Sequence, residues 1–168
     1  EEKLKPRALE STLGIGHTRW ATHGEPNDVN SHPHCSQNGF IAVVHNGIIE
    51  NYMQLKEFLQ AKGYEFQSET DTEVIAQLVE YNYKGDLVKA VMNTLHDLEG
   101  SYALGVICTS CPNEFVAARK DSPLIVGLGE NENYIASDIP AILQYTRDIY
   151  ILEDREVVRI QQDDVSIF

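Results

Sequence analysis

Between Ile48 and Gly100 the apolar residues fall on helical spacings, and after Gly100 they gather into short runs separated by turn residues. Ile48, Tyr52, Leu55 and Leu59 make one helical face, which stops at Gly63. Val74, Ile75, Leu78 and Val79 make a second, opened by Thr70 and Glu73 at capping-box spacing. Leu87, Val88, Val91, Met92, Leu95 and Leu98 make a third, bounded by Gly85-Asp86 and Gly100. Residues 40–45 form an apolar run suited to a buried strand. The Asn46-Gly47 that follows usually signals a hairpin, but a helical face comes next, so it reads as a strand-to-helix turn. Residues 15–20 and 64–67 are short strand candidates. Beyond Gly100, strands are predicted over 102–108, 115–119, 124–128 and 134–136, and a short helix over 139–145. A closing antiparallel meander is predicted over 149–152, 156–160 and 165–168. Helices bunched ahead of hairpin-linked strands predict an α+β fold with antiparallel sheet.

Residues 24–39 interrupt this pattern with Gly24, Pro26, Asn27, Asp28, Asn30, Pro33, Asn38 and Gly39. A loop of this length in one compact domain is usually functional, and 168 residues are enough for one domain with a sizeable core. The net charge of −13 provides no basic stripe for a nucleic acid and no attraction to an anionic membrane. No apolar run is long enough to span a bilayer, and Glu1-Glu2-Lys3 does not open a signal peptide. Three cysteines make no even disulfide framework and point to a cytoplasmic setting.

The candidate chemistry lies in three stretches. Residues 16–24 pack His17, Arg19, Trp20, Thr22 and His23 between two glycines. Arg19 offers a planar fork for a carboxylate; its alternative is a structural ion pair. Thr22 and His23 suit contacts to the same ligand or ordinary turn chemistry. Asp71 follows the cap residue Thr70, so its carboxylate is available either to an ammonium group or to the helix dipole. Together, Arg19 and Asp71 would fit a free α-amino acid. Asn46 and the Gly47 N–H suit an oxyanion hole, with a plain Asn-Gly turn as the other reading. Five of the six histidines fall between His17 and His45, and His32, His34 and Cys35 raise a minor metal or thiol reading that lacks a second ligand pair. Cys108 and Cys111 form a C-x-x-C after a strand, without the helix that redox motifs open. No cofactor or metal is expected.

The motifs G-H-T-R-W-A-T-H-G (16–24), H-P-H (32–34), H-N-G-I-I-E-N (45–51), S-E-T-D-T-E-V (68–74), S-P-L-I-V-G-L-G (122–129) and I-A-S-D (135–138) resemble, in this order, the glutaminase domain of the glutamine–fructose-6-phosphate amidotransferase family. The resemblance spans Gly14 to Phe168, and the Trp-Ala-Thr-His-Gly form sets it apart from the purine-pathway amidotransferases. It implies the four-layer α/β/β/α sandwich of N-terminal-nucleophile hydrolases, here lacking its N-terminal strands, with residues 1–168 forming one N-terminally incomplete glutaminase domain. It implies hydrolysis of the L-glutamine side-chain amide by an N-terminal cysteine. The ammonia would go to fructose-6-phosphate on sugar isomerase domains, in a homodimeric full-length enzyme. By position, Arg19 would bind the substrate carboxylate, Asp71 its amino group, and Thr22 and His23 the rest of the pocket. Asn46 and Gly47 would hold the oxyanion, and Trp20 would lie beside the ammonia route. Position 1 is Glu1, so the resemblance places the nucleophile outside this chain and implies that the chain by itself is inactive. A glutamine-binding module without catalysis is the other reading.

Overall fold

The computed structural model describes residues 11–19 and 23–168. The strands are β1 (His34–Cys35), β2 (Ile41–Ile49), β3 (Gly100–Cys108), β4 (Phe115–Lys120), β5 (Ile125–Leu128), β6 (Asn133–Ala136), β7 (Asp148–Ile151), β8 (Val157–Ile160) and β9 (Val165–Ile167). The helices are α1 (Tyr52–Ala61), α2 (Asp71–Asn82) and α3 (Leu87–Asp97). They build two antiparallel sheets, one in the order β1-β2-β3-β4-β8-β9 and one in the order β6-β5-β7.

Alternation along the central strands feeds two cores. Tyr102, Leu104, Val106 and Cys108 of β3, with Val116 and Ala118 of β4, face the helices and pack with Val74, Ile75, Leu78 and Val91. Ala103 of β3, Phe115 and Ala117 of β4 and Val158 and Ile160 of β8 pack on the other side with Val126 of β5 and Leu152. Among the described residues, helices, large sheet and small sheet therefore stack as three layers, with β3 and β4 contributing to both cores. Helix α2 is closed in on nearly every side, with Asp71 through Glu80 all buried. This is why polar Asp71, Thr72, Glu73 and Gln77 must each find a partner inside the protein.

Several expectations need correction. Strand β2 does not end at His45 but runs through Asn46-Gly47 to Ile49, and α1 starts only at Tyr52. Gly47 keeps the strand going at φ 127°, and a Cβ there would run into the Ser101 carbonyl; Gly100, at φ 112°, faces the Ile48 carbonyl in the same way. Two glycines thus let β2 and β3 approach where side chains would hold them apart. Residues 64–67 join no ladder, because side chains take their backbone donors: Glu65 N–H goes to Gln37 Oε1 and Gln67 N–H to Glu73 Oε1. The described part of 15–20 joins no strand; Leu13 and Ile15 pack on the inter-sheet core instead. Residues 139–145 form successive turns closed by Ile142 N–H to Ile139 O and Tyr145 N–H to Ile142 O, so among the described residues no helix covers the small sheet. The closing strands are not one meander, since β7 pairs with β5 while β8 and β9 extend the large sheet. Among the described residues, no helix is long and apolar enough to cross a membrane.

Candidate active site

The first turn of α2, the end of β2 and residues His17, Arg19 and His23 meet at one end of the large sheet. Thr70 caps α2, accepting from Glu73 N–H at 3.3 Å. The reciprocal half of the box is absent. The Glu73 carboxylate turns back instead to Gln67 N–H (2.9 Å), Ser68 N–H and Ser68 Oγ–H (both 2.6 Å), which fixes the loop entering the helix. Two histidines tie the sheet to the same turn: His34 Nε2 lies 3.0 Å from Thr70 Oγ1, and His45 Nδ1 lies 2.9 Å from Thr72 Oγ1. Burial lowers the pKa of both rings.

Here lies a cavity of about 340 Å³, walled by His17, Arg19, His23 and His32, by His45, Asn46 and Gly47 of β2, and by the cap residue Thr70 with Asp71 and Thr72 of α2. Arg19, Asp71, Asn46, Gly47 and His23, which the sequence singles out from three distant stretches, all border it. Trp20 and Thr22 lie outside the described residues. Asp71 Oδ2 accepts the Ile49 N–H at 2.9 Å, and Oδ1 lies 3.8 Å from His23 Nδ1. The carboxylate is thus part brace, part cavity wall, and it sits at the positive end of a helix. Arg19 adopts φ 53°, and its guanidinium donates to the carbonyls of His23, Gly24 and Glu25 at 3.0, 3.0 and 3.1 Å. The group expected to grip a carboxylate therefore also holds its own loop closed. Buried Asn30 fastens that loop from below, donating to Glu25 O and Glu69 Oε2 and accepting from Glu69 N–H.

His17, absent from the residues expected to bind substrate, is central to the geometry. Its Nδ1 accepts from Arg19 N–H at 2.8 Å and its Nε2 lies 2.6 Å from Asn46 Oδ1. Its ring stacks on His32 at 4.2 Å. Burial first, then the neighbouring His17, His34, His45 and Arg19, push the His32 pKa down to about 3, so this imidazole is neutral. The only hint in the sequence is the density of histidines in 17–45, which by itself fits a metal site as well.

The metal reading gains no geometry. Along β1, His34 is buried and Cys35 exposed, and among the described residues no three His, Cys, Asp or Glu side chains converge as ligands. Cys108 and Cys111 lie at the far end of β3, in a turn closed by Cys111 N–H to Cys108 O, with Cys111 Sγ 3.4 Å from Tyr83 Oη.

Known proteins resemble this chain in sequence and in fold. A family model described as a glutamine amidotransferase domain matches residues 17–144. Proteins named glutamine–fructose-6-phosphate aminotransferase (isomerizing) are 61% identical over the whole chain in Clostridium tetani, 64% over 98% of it in Caldanaerobacter subterraneus, and 51% over all of it in Thermotoga maritima. The chain spans 27–28% of the length of these relatives. Among solved structures, the glutamine phosphoribosylpyrophosphate amidotransferase of B. subtilis superposes on 90% of the chain with TM-score 0.76 at 28% identity, covering 33% of that protein. A structure described as the allosteric regulatory enzyme of purine biosynthesis superposes on 83% with TM-score 0.71 at 29% identity, covering 31% of that chain. The architecture is accordingly that of the N-terminal-nucleophile amidotransferases. A fold whose cavity gathers an arginine, a carboxylate and an Asn-Gly pair, and whose sequence matches the family model over most of its length, belongs to the glutamine amidotransferase domain family.

Proposed function

We propose that this chain is the glutaminase domain of a glutamine–fructose-6-phosphate aminotransferase, and that the cavity beside Asn46 holds L-glutamine. In this reading Arg19 takes the α-carboxylate. The incoming anion competes with neutral carbonyls for the guanidinium, and a charged acceptor is the stronger partner. Asp71 Oδ1, with His23 beside it, takes the α-ammonium. The side-chain amide then lies over Asn46 Nδ2 and the Gly47 N–H, which stabilise the oxyanion that forms when a thiolate attacks the amide carbon. The nucleophile, an N-terminal cysteine, and the sugar isomerase domains that use the ammonia come from the rest of a longer, dimeric enzyme, so residues 1–168 are inactive by themselves. The observation that carries this reading is that Arg19, Asp71, Asn46 and Gly47 border a single cavity.

The test is steady-state glutaminase kinetics of the intact gene product. Asn46→Ala is expected to lower kcat by about 10²–10³, the usual loss of one oxyanion donor. Arg19→Ala is expected mainly to raise KM for glutamine, roughly 10- to 100-fold, because a carboxylate clamp serves ground and transition states alike. An unchanged KM would remove Arg19 from this role. Glutamine turnover by residues 1–168 alone would refute the external nucleophile.

A further inference from the structure

We propose that His17 is a positioning residue for the oxyanion hole: it fixes which end of the Asn46 side-chain amide is presented as a donor. The assignment rests on the glutaminase reading of the cavity and goes beyond it, because that reading gives His17 no part in binding or catalysis.

Proton placement decides the orientation. Arg19 N–H donates to His17 Nδ1 at 2.8 Å. A backbone N–H can only donate, so Nδ1 must present its lone pair, and a neutral imidazole then carries its single proton on Nε2. That N–H points at Asn46 Oδ1, 2.6 Å away. With the amide reversed, an NH₂ would meet an N–H and two donors would face each other. The chain of bonds from Arg19 N–H through the imidazole therefore selects one orientation of Asn46, with Oδ1 toward His17 and Nδ2 turned away from it. The end of the amide turned away is the one a ligand can meet.

The imidazole is also held in place by its surroundings. Leu13 and Ile15, just before it in the chain, are anchored in the inter-sheet core. Its face stacks on His32 at 4.2 Å with 25° between the planes. His32 is in turn set by His45 N–H, which reaches its Nδ1 at 3.4 Å, and by an edge contact to the ring of His34. His32 is neutral, so the stack carries no like-charge repulsion. Asn46 is itself exposed at the rim of the cavity. Without His17, water would occupy its oxygen and the amide would turn freely. The donor would then have to be ordered during each reaction, and that cost falls on kcat rather than on glutamine binding.

Two near-isosteres of histidine separate positioning from mere packing. In His17→Asn the amide oxygen can still accept from Arg19 N–H, but nothing reaches Asn46. In His17→Gln the longer amide can place an N–H near the position of Nε2. In the intact enzyme, His17→Asn is expected to lower glutaminase kcat roughly 10- to 100-fold with KM changed less than about threefold, while His17→Gln recovers at least about a third of the wild-type kcat. The double variant His17→Asn, Asn46→Ala is expected to be no slower than Asn46→Ala alone, because the two act as a unit. A His17→Asn enzyme with wild-type kcat, a loss seen only in KM, equal losses in Asn and Gln variants, or multiplicative losses in the double variant would each overturn the assignment. An Asn46→Ala enzyme as fast as wild type would instead overturn the reading of the cavity, and this assignment with it.

Discussion

The carboxylate of Asp71 does two separable jobs. One oxygen accepts the Ile49 N–H and ties α2 to β2; the other borders the cavity 3.8 Å from His23 Nδ1. Asparagine keeps an oxygen for Ile49 and removes only the charge. Asp71→Asn is therefore expected to cost about 1 kcal/mol or less of stability, the scale of removing one helix-terminus charge. On the proposed glutaminase reading, in the intact gene product it should raise KM for glutamine at least about tenfold, the scale of one charge-assisted hydrogen bond to an ammonium group. Asp71→Ala should impair both stability and binding. Urea melts and glutaminase kinetics on the two variants distinguish brace from ligand, and an Asn variant with wild-type KM would leave Asp71 as a brace alone. Arg19, Asp71 and Asn46 stand out in the sequence because each side chain has an obvious chemical use by itself. His17 does not, since its use depends on a tautomer set by a backbone N–H two residues on and on a partner 29 positions away.

At the scale of elements, what reads directly from the sequence is what depends on near neighbours. The helical faces of α1, α2 and α3 are visible as spacing, and the cap at Thr70 as local chemistry. What depends on distant partners is not. Residues 64–67 have strand-like composition, yet their N–H groups are taken by Gln37 and Glu73. Asn46-Gly47 looks like a turn until Gly47 and Gly100, each against a carbonyl of the other strand, are seen to let β2 and β3 approach. Glu73 shows how much one residue can be asked to do: its buried carboxylate accepts three hydrogen bonds from Gln67 and Ser68. Unlike Asp71, both of its oxygens are engaged by donors, so an amide would turn an NH₂ against an N–H. Glu73→Gln and Glu73→Ala are each expected to destabilise the fold by about 2–3 kcal/mol, the range for hydrogen bonds to a charged group whose buried donors are left unpaired. Chemical denaturation measures this. A Gln variant as stable as wild type would show that the loop has another anchor.

Over the whole molecule, two electrostatic effects compete as pH falls, and they have opposite signs. The chain carries a net charge of −13 at pH 7, so gaining protons relieves self-repulsion and by itself favours the folded state. The buried histidines act the other way. His32, His34 and His45 all have folded pKa values below the ordinary 6.5, with His32 at about 3, chiefly through burial. Below pH 6.5 the unfolded chain binds more protons at these sites than the folded chain does. Unfolding is then accompanied by proton uptake, and stability falls as pH falls. The slope is at most about 1.4 kcal/mol per pH unit for each histidine held neutral, and less for His32, which water partly reaches. Between about pH 6.5 and 5 ordinary carboxylates remain ionised, so this window isolates the histidines. The melting temperature is expected to drop steadily across it despite the shrinking net charge. His32→Asn keeps an acceptor for His45 N–H but has no proton to gain, so it should flatten the drop. A melting temperature that rises toward about pH 5, or a slope unchanged in His32→Asn, would mean that relief of the acidic surface, and not the neutral His32 imidazole, governs how this domain responds to acid.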